Sequence, residues 1–100
     1  MSPEELQPKS QQIANLLTAL ANQKRLMIMS HLFERELSVN SLAAKVGLGQ
    51  SALSQHLAKL RNLGLVSTRR EGQTIYYRSA SPVARAVVET AFKAYAEQNN

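Results

Sequence analysis

The stretch Gln50-Ser51-Ala52-Leu53-Ser54-Gln55-His56-Leu57-Ala58-Lys59-Leu60-Arg61-Asn62-Leu63-Gly64 decides the fold of this 100-residue chain. Leu53, Leu57 and Leu60 recur at a spacing of four and then three, which puts them on one stripe of a helix. Gly64 ends that helix, because glycine takes up the left-handed conformation of a helix end at little cost. The opposite face is Gln50, Ser51, Ser54, Gln55 and Ala58, and no acid occurs anywhere in residues 50–63. A face meant only for water more often carries Glu and Lys. Just upstream, Leu42, Ala43 and Val46 mark a shorter helix over about residues 40–46, and Gly47-Leu48-Gly49 separates the two. Gly47 suits the C′ position of the first. Two helices joined by a three-residue, glycine-containing turn form a helix-turn-helix unit.

Beyond Gly64 the period of the apolar residues drops from helical to alternating. Leu65 to Arg70 and Thr74 to Arg78 read as two strands, the second rich in β-branched and aromatic residues, around a tight turn at Glu71-Gly72-Gln73. Ser81-Pro82 opens a last helix, with proline at the first helical position where its missing N–H is harmless. That helix carries Val83, Val87, Val88, Ala91, Phe92 and Tyr95 as its apolar face. On the N-terminal side, Ile13, Leu16, Leu17 and Leu20 share one face of a helix between Lys9 and Ala21. Asn22 is placed to cap a second helix containing Leu26, Met27, Met29, Leu32 and Phe33. Glu34-Arg35-Glu36 is a charged exit, and Leu37 to Val39 a short extended piece. Residues 1–8, polar with two prolines, read as a frayed tail.

The expectation is a mainly α protein with a β-hairpin wing, in the order α-α-α-α-β-β-α: a winged helix-turn-helix in a single domain over residues 9–98. Its central α-α-β-β unit is too small to cover the apolar faces of both the first and the last helix. A symmetric homodimer buries them, with Ile13, Leu16, Leu17, Leu20, Val83, Val87, Val88, Ala91, Phe92 and Tyr95 at the interface. The alternative is that both helices close a monomeric core.

The formal net charge is +5, and its placement says more than its size. Residues 41–80 carry Lys45, Lys59, Arg61, Arg69, Arg70 and Arg78 against Glu71 alone, while the segments on either side are each neutral. A localised cationic patch is the footprint of a polyanionic partner. No cysteine occurs, which excludes a disulfide framework, a thiolate metal site and a thiol redox sensor. No run of apolar residues is long enough to span a membrane, and no secretory signal opens the chain, so a cytoplasmic protein with no membrane partner is expected. There is no Ser/His/Asp constellation, no phosphate-cradling glycine loop and no carboxylate pair near a histidine, so an enzyme is not expected.

A helix with a short, neutral, acid-free face beside a basic patch fits the major groove of a DNA duplex. Gln pairs in bidentate fashion with adenine, and Ser serves either base type, so Gln50, Ser51, Ser54 and Gln55 are the candidate base readers. Lys59 and Arg61 are candidate phosphate contacts. His56 lies on the flank of the helix, and two readings stand: a donor to a phosphate, or a ring packed beside the turn. In the wing, Arg69, Arg70, Gln73 and Thr74 are placed to lie along a DNA backbone or to enter a narrow minor groove.

Several of these stretches together resemble the ArsR/SmtB family of bacterial winged-helix repressors, over about residues 11–97. They are Ala21-Asn22-Gln23-Lys24-Arg25-Leu26, Leu42-Ala43 to Gly47-Leu48, Gln50 to Leu60, Gly64-Leu65-Val66, and Arg69-Arg70-Glu71-Gly72-Gln73 to Tyr76-Tyr77. The resemblance implies dimers through the terminal helices, binding to imperfect palindromes in double-stranded DNA, and repression of transcription. It departs from the family's metal-sensing members. Where these place two cysteines, this chain has Ser38 and Asn40, both poor ligands for soft or borderline cations. Of the four ligand positions of the family's second site, here Ser81, Val83, Ala94 and Glu97, one ligand survives, and His31 is isolated. The resemblance is therefore to a metal-blind branch, with no cofactor. Two other functions compete: a repressor that responds to an apolar small molecule held between the terminal helices, whose identity is unknown, and a protein-interaction module on the same fold.

Overall fold

The computed structural model describes residues 1–98. Six helices and three strands follow in order: α1 Pro3–Leu6, α2 Ser10–Leu20, α3 Gln23–Glu34, β1 Leu37–Ser38, α4 Val39–Val46, α5 Gln50–Asn62, β2 Val66–Glu71, β3 Thr74–Ser79 and α6 Pro82–Gln98, with a 3₁₀ turn at Gln7–Lys9 between α1 and α2. The predicted winged helix-turn-helix is present. Asn22 caps α3 as expected, its side-chain oxygen accepting from the Arg25 N–H at 3.1 Å. Gly47, at φ 68°, closes α4 in the left-handed conformation. The hairpin turn is Gly72-Gln73, with Gly72 at φ 62° and no positive φ at Gln73, the pattern of a type II′ turn.

One local expectation is corrected, and another is made more definite. The tail expected to fray over residues 1–8 is helical from Pro3. Ser2 and Glu5 form a capping box, the Ser2 Oγ accepting from the Glu5 N–H at 3.1 Å and the Glu5 carboxylate accepting from the Ser2 N–H at 3.0 Å. Pro3 at the first helical position is pre-set for that turn rather than against it. The extended piece at Leu37 is a true strand, because β1 pairs antiparallel with β3, Leu37 opposite Tyr77 and Ser38 opposite Tyr76. The sheet order is β1-β3-β2, with Val66 opposite Ser79 and Glu71 opposite Thr74 at the two ends of the hairpin.

Helix α3 is the centre of the core. Its Ile28, Met29 and Leu32 meet Leu42 and Val46 of α4, Leu53, Leu57 and Leu60 of α5, and Leu65 and Val66 at the root of the hairpin. Each fully buried leucine contributes about 1.5–3 kcal/mol relative to an exposed one, so the stripe read from the sequence is what holds α5 in place. Two cations in the first turn of α3 join its neighbours. Lys24 Nζ donates to the Val46 carbonyl at 2.9 Å, at the open end of α4. Arg25 donates through Nε to the Ala19 carbonyl and through Nη2 to the Thr18 carbonyl at 3.3 Å, at the open end of α2. Helix ends leave such carbonyls without partners, and cations suit them.

Leu20 was expected at a subunit interface but is only 5% exposed and belongs to the core of its own subunit. Its position at the last turn of α2 tips it toward α3. Ile13 and Leu17 remain exposed on the outer face of α2, and Val83, Ala91, Phe92 and Tyr95 on α6, while Leu16, Val87 and Val88 are half-buried against the core. Of the α6 residues described, Ala84 alone is buried.

Candidate nucleic-acid interface

Helix α5 begins after Gly49, which offers no side-chain oxygen to cap it, and its first turn contains no acid. The first-turn N–H groups and the positive end of the helix dipole are thus left for an external anion. Gln50, Ser51, Ser54 and Gln55 are all exposed, opposite the buried leucines, so the predicted reading face is free. Lys59 and Arg61 are exposed in the last turns of the same helix. Gln50 is not a loose side chain. Its Nε2 donates to Oδ1 of Asn40, on the first turn of α4, at 3.2 Å. Asn40 therefore orients a candidate reader, a role the sequence reading did not assign. Its signal, a polar residue at the start of the preceding helix, is common to most helices.

Between α5 and the hairpin runs a groove of about 320 Å³, lined by Ser38, Val39, Asn40, Gln50, Ser54, Gln73, Thr74 and Ile75. Two of the predicted wing residues, Gln73 and Thr74, thus share one concave surface with two of the predicted readers. The register separates the two wing arginines. Arg70 is opposite Ile75, and cross-strand partners share a face, so exposed Arg70 lies on the groove side. Arg69 is opposite Tyr76 on the other face.

Arg69 has its own partners. Its guanidinium meets Glu36 through Nη2 at 2.7 Å and through Nε at 2.8 Å, meets Glu71 at 2.8 Å, and stacks over the Tyr76 ring at 4.4 Å. The hydrogen bonds it donates to Glu36 and then Glu71 hold it above its ordinary pKa. In this structure the Arg69 guanidinium forms a brace that ties the hairpin to the end of α3. Outward-facing Arg78 likewise donates to Ser67 Oγ across the strands at 2.9 Å.

His56 is half-buried, with Nδ1 at 3.4 Å from Nη1 of Arg25. Burial, then Arg25, then Lys59 push its pKa below the ordinary value, so the ring is neutral near pH 7. Arg25 is itself 8% exposed. The sequence reading missed it, although a signal exists: cations disfavour the first turn of a helix, so Lys24 and Arg25 at that place require another use.

A profile of the family described as bacterial regulatory protein, arsR family, matches residues 22–68, from the cap of α3 into β2. The transcriptional activator HlyU of Vibrio cholerae is 43% identical over 99 residues, which are 99% of this chain and 92% of that protein. The crystal structure of NolR from Sinorhizobium fredii superposes with a TM-score of 0.84 at 48% identity, over 95% of this chain and 94% of that one. The solution structure of a homodimeric winged helix-turn-helix DNA-binding domain from Mycobacterium bovis superposes with a TM-score of 0.80 at 35% identity, over 98% and 93%. With its fold, its acid-free reading helix and these likenesses in agreement, this chain belongs to the bacterial arsR family of DNA-binding transcription regulators.

Proposed function

We propose that this protein is a repressor that binds an imperfect palindrome in double-stranded DNA as a homodimer, with no metal or thiol controlling its occupancy. The carrying observation is the exposed, acid-free face of α5, set beside a groove that Arg70 flanks. Gln50, Ser51, Ser54 and Gln55 read base edges, while Lys59, Arg61 and His56 hold the backbone and Arg70, Gln73 and Thr74 hold the flank. Residues Ile13, Leu17, Val83, Ala91, Phe92 and Tyr95, exposed in one subunit, pack against a second copy, as the homodimeric relative supports. Two reading helices then meet half-sites about one helical turn apart, at an affinity of roughly 10⁻⁸–10⁻¹¹ M.

Selection of bound duplexes from random sequence, followed by footprinting, tests this. The expected product is a site with two-fold symmetry. Ser54→Ala or Gln55→Ala should then relax base preference at matched positions in both halves. Asymmetric sites, or base preferences that do not respond to changes at Gln50, Ser54 and Gln55, would contradict the assigned face.

A second reading adds a small-molecule effector. It is favoured by a cleft of about 370 Å³ between α2, the end of α5 and the start of α6, with Ile13, Leu16, Leu63, Leu65 and Val83 as apolar walls and Lys9 at its margin. A thermal-shift screen should yield an amphipathic compound that alters operator affinity. Compounds that stabilise the protein without changing DNA binding would remove this reading.

A further inference from the structure

We infer that Arg25 is a positioning residue for DNA recognition: it accepts no proton, faces His56 Nδ1 from beneath α5, and so fixes the neutral ring with its proton on Nε2, offered outward as an uncharged donor to a backbone phosphate. The inference rests on the proposal that α5 lies on DNA, and it assigns a mechanism to a contact the sequence left open.

The argument is one of donors and acceptors. A guanidinium has five N–H groups and no lone pair to give. Arg25 uses Nε and Nη2 on the carbonyls that end α2, and Nη1 is the group that faces His56 Nδ1 at 3.4 Å. An N–H on Nδ1 would oppose that donor, so Nδ1 presents its lone pair. A neutral imidazole carries a single N–H, which must then be on Nε2.

The charged form is disfavoured for the same reason. Burial acts first against it, and the charged groups that face the ring, Arg25 from α3 and Lys59 from its own helix, are both cations and act in the same direction. Nε2 has no partner among the described residues, yet no buried side-chain nitrogen or oxygen there lacks one, so Nε2 is open to solvent. It belongs to the residue that follows Gln55 and stands one turn before Lys59, on the flank where a groove-bound helix passes a strand of the duplex.

The arrangement also links two structures. The same guanidinium that sets the ring closes the end of α2, the helix proposed to pair with a second subunit. One buried side chain thereby touches both the end of the proposed subunit-contact helix and the reading helix.

Two measurements test this. Long-range ¹⁵N–¹H spectra of the free protein above pH 7 should show the His56 ring as the Nε2–H tautomer. Arg25→Met should turn it into a mixture. For binding, a duplex selected from random sequence and a generic duplex serve as probes. His56→Phe should weaken both about tenfold with no change in the salt slope, because an uncharged donor releases no counterion. His56→Gln, which restores an N–H, should recover most of the loss. Lys59→Ala, by contrast, should flatten the slope by about 0.9. An Nδ1–H tautomer in the wild type, unchanged affinity in His56→Phe, or a slope change of about one unit there would overturn the inference while leaving DNA binding intact. A wild-type protein that binds neither duplex would overturn the proposed function itself, and the phosphate contact with it.

Discussion

Arg25 and His56 show how much a pair of side chains can decide. Arg25 donates to two carbonyls at the end of α2 from a nearly buried position, and its loss strands the acceptor on buried Ala19, since the Thr18 carbonyl also accepts from the Ala21 N–H. Arg25→Met should lower the free energy of unfolding by about 2–3 kcal/mol, read from urea midpoints at constant slope. His56 brings a pH dependence of defined sign. Its folded pKa lies below the ordinary value of 6.5, so the native state prefers the neutral ring. The stabilisation is whole above that value and is lost as pH falls through the depressed folded value. Thermal midpoints should fall below about pH 6.5 in the wild type, and fall less in His56→Gln. Equal pH profiles for the two proteins would show that the ring is not the titrating group. The two wing arginines part at this scale as well. Arg70→Ala should weaken all sequences and flatten the salt slope by about 0.9. Arg69→Ala should change the slope less and loosen the hairpin, visible as faster amide exchange in β2 and β3.

Among the elements, α5 and the hairpin carry the proposed function, and their stability has separable sources. Leu53→Ala should cost about 2–5 kcal/mol, because a fully buried side chain in the centre of the stripe leaves a cavity that its neighbours fill only in part. Gly72→Ala should cost about 1–2 kcal/mol by denaturation, and for a different reason. A Cβ there would meet nothing within 4 Å, so the penalty is wholly that of a left-handed backbone.

Most of this scale was legible in the sequence. The leucine stripe, Asn22 and Gly47 each act locally, and local chemistry fixes helix ends to within a residue or so. The capping box at Ser2 is equally local, but prolines signal a break as readily as a helix start, and only Pro3 inside the Ser-x-x-Glu pattern marks the latter. Strand β1 is not set locally, since two extended residues become a strand only when Tyr76 and Tyr77 arrive beside them. The Arg69 brace was hidden for the same reason: Glu36 and Arg69 are 33 residues apart, and a count of charges records them as two opposite signs with no relation.

At the scale of the molecule, the chain is less compact than its length allows. Its radius of gyration is 14.9 Å, against about 13 Å for a compact domain of this size, and its longest extent is 49 Å. Helix α6 accounts for much of this, with every described residue from Glu89 onward exposed, including Phe92 at 72% and Tyr95 at 68%. Large exposed apolar residues grouped on one helix face, as Phe92 and Tyr95 are three residues apart on α6, form a patch of the kind that marks an interface. Sedimentation should give a two-subunit mass. Phe92→Glu should shift it toward one subunit and abolish tight binding to a symmetric site while leaving weak binding to generic DNA. A monomeric wild type would refute the dimer, and with it the symmetric operator. The terminal helices are proposed as the subunit contact from their apolar stripes, and the inward turn of Leu20 departs from that expectation, because the stripe of α2 also faces α3 and spacing alone does not apportion it.

A face left open on α6 also bears on how a cell would read this protein's abundance. If the species that grips an operator forms only when two chains meet, then at dilute levels its amount grows as the square of expression, so doubling synthesis would raise promoter occupancy about fourfold. A modest rise in gene dosage would then act as a threshold, with no messenger molecule needed to sharpen it.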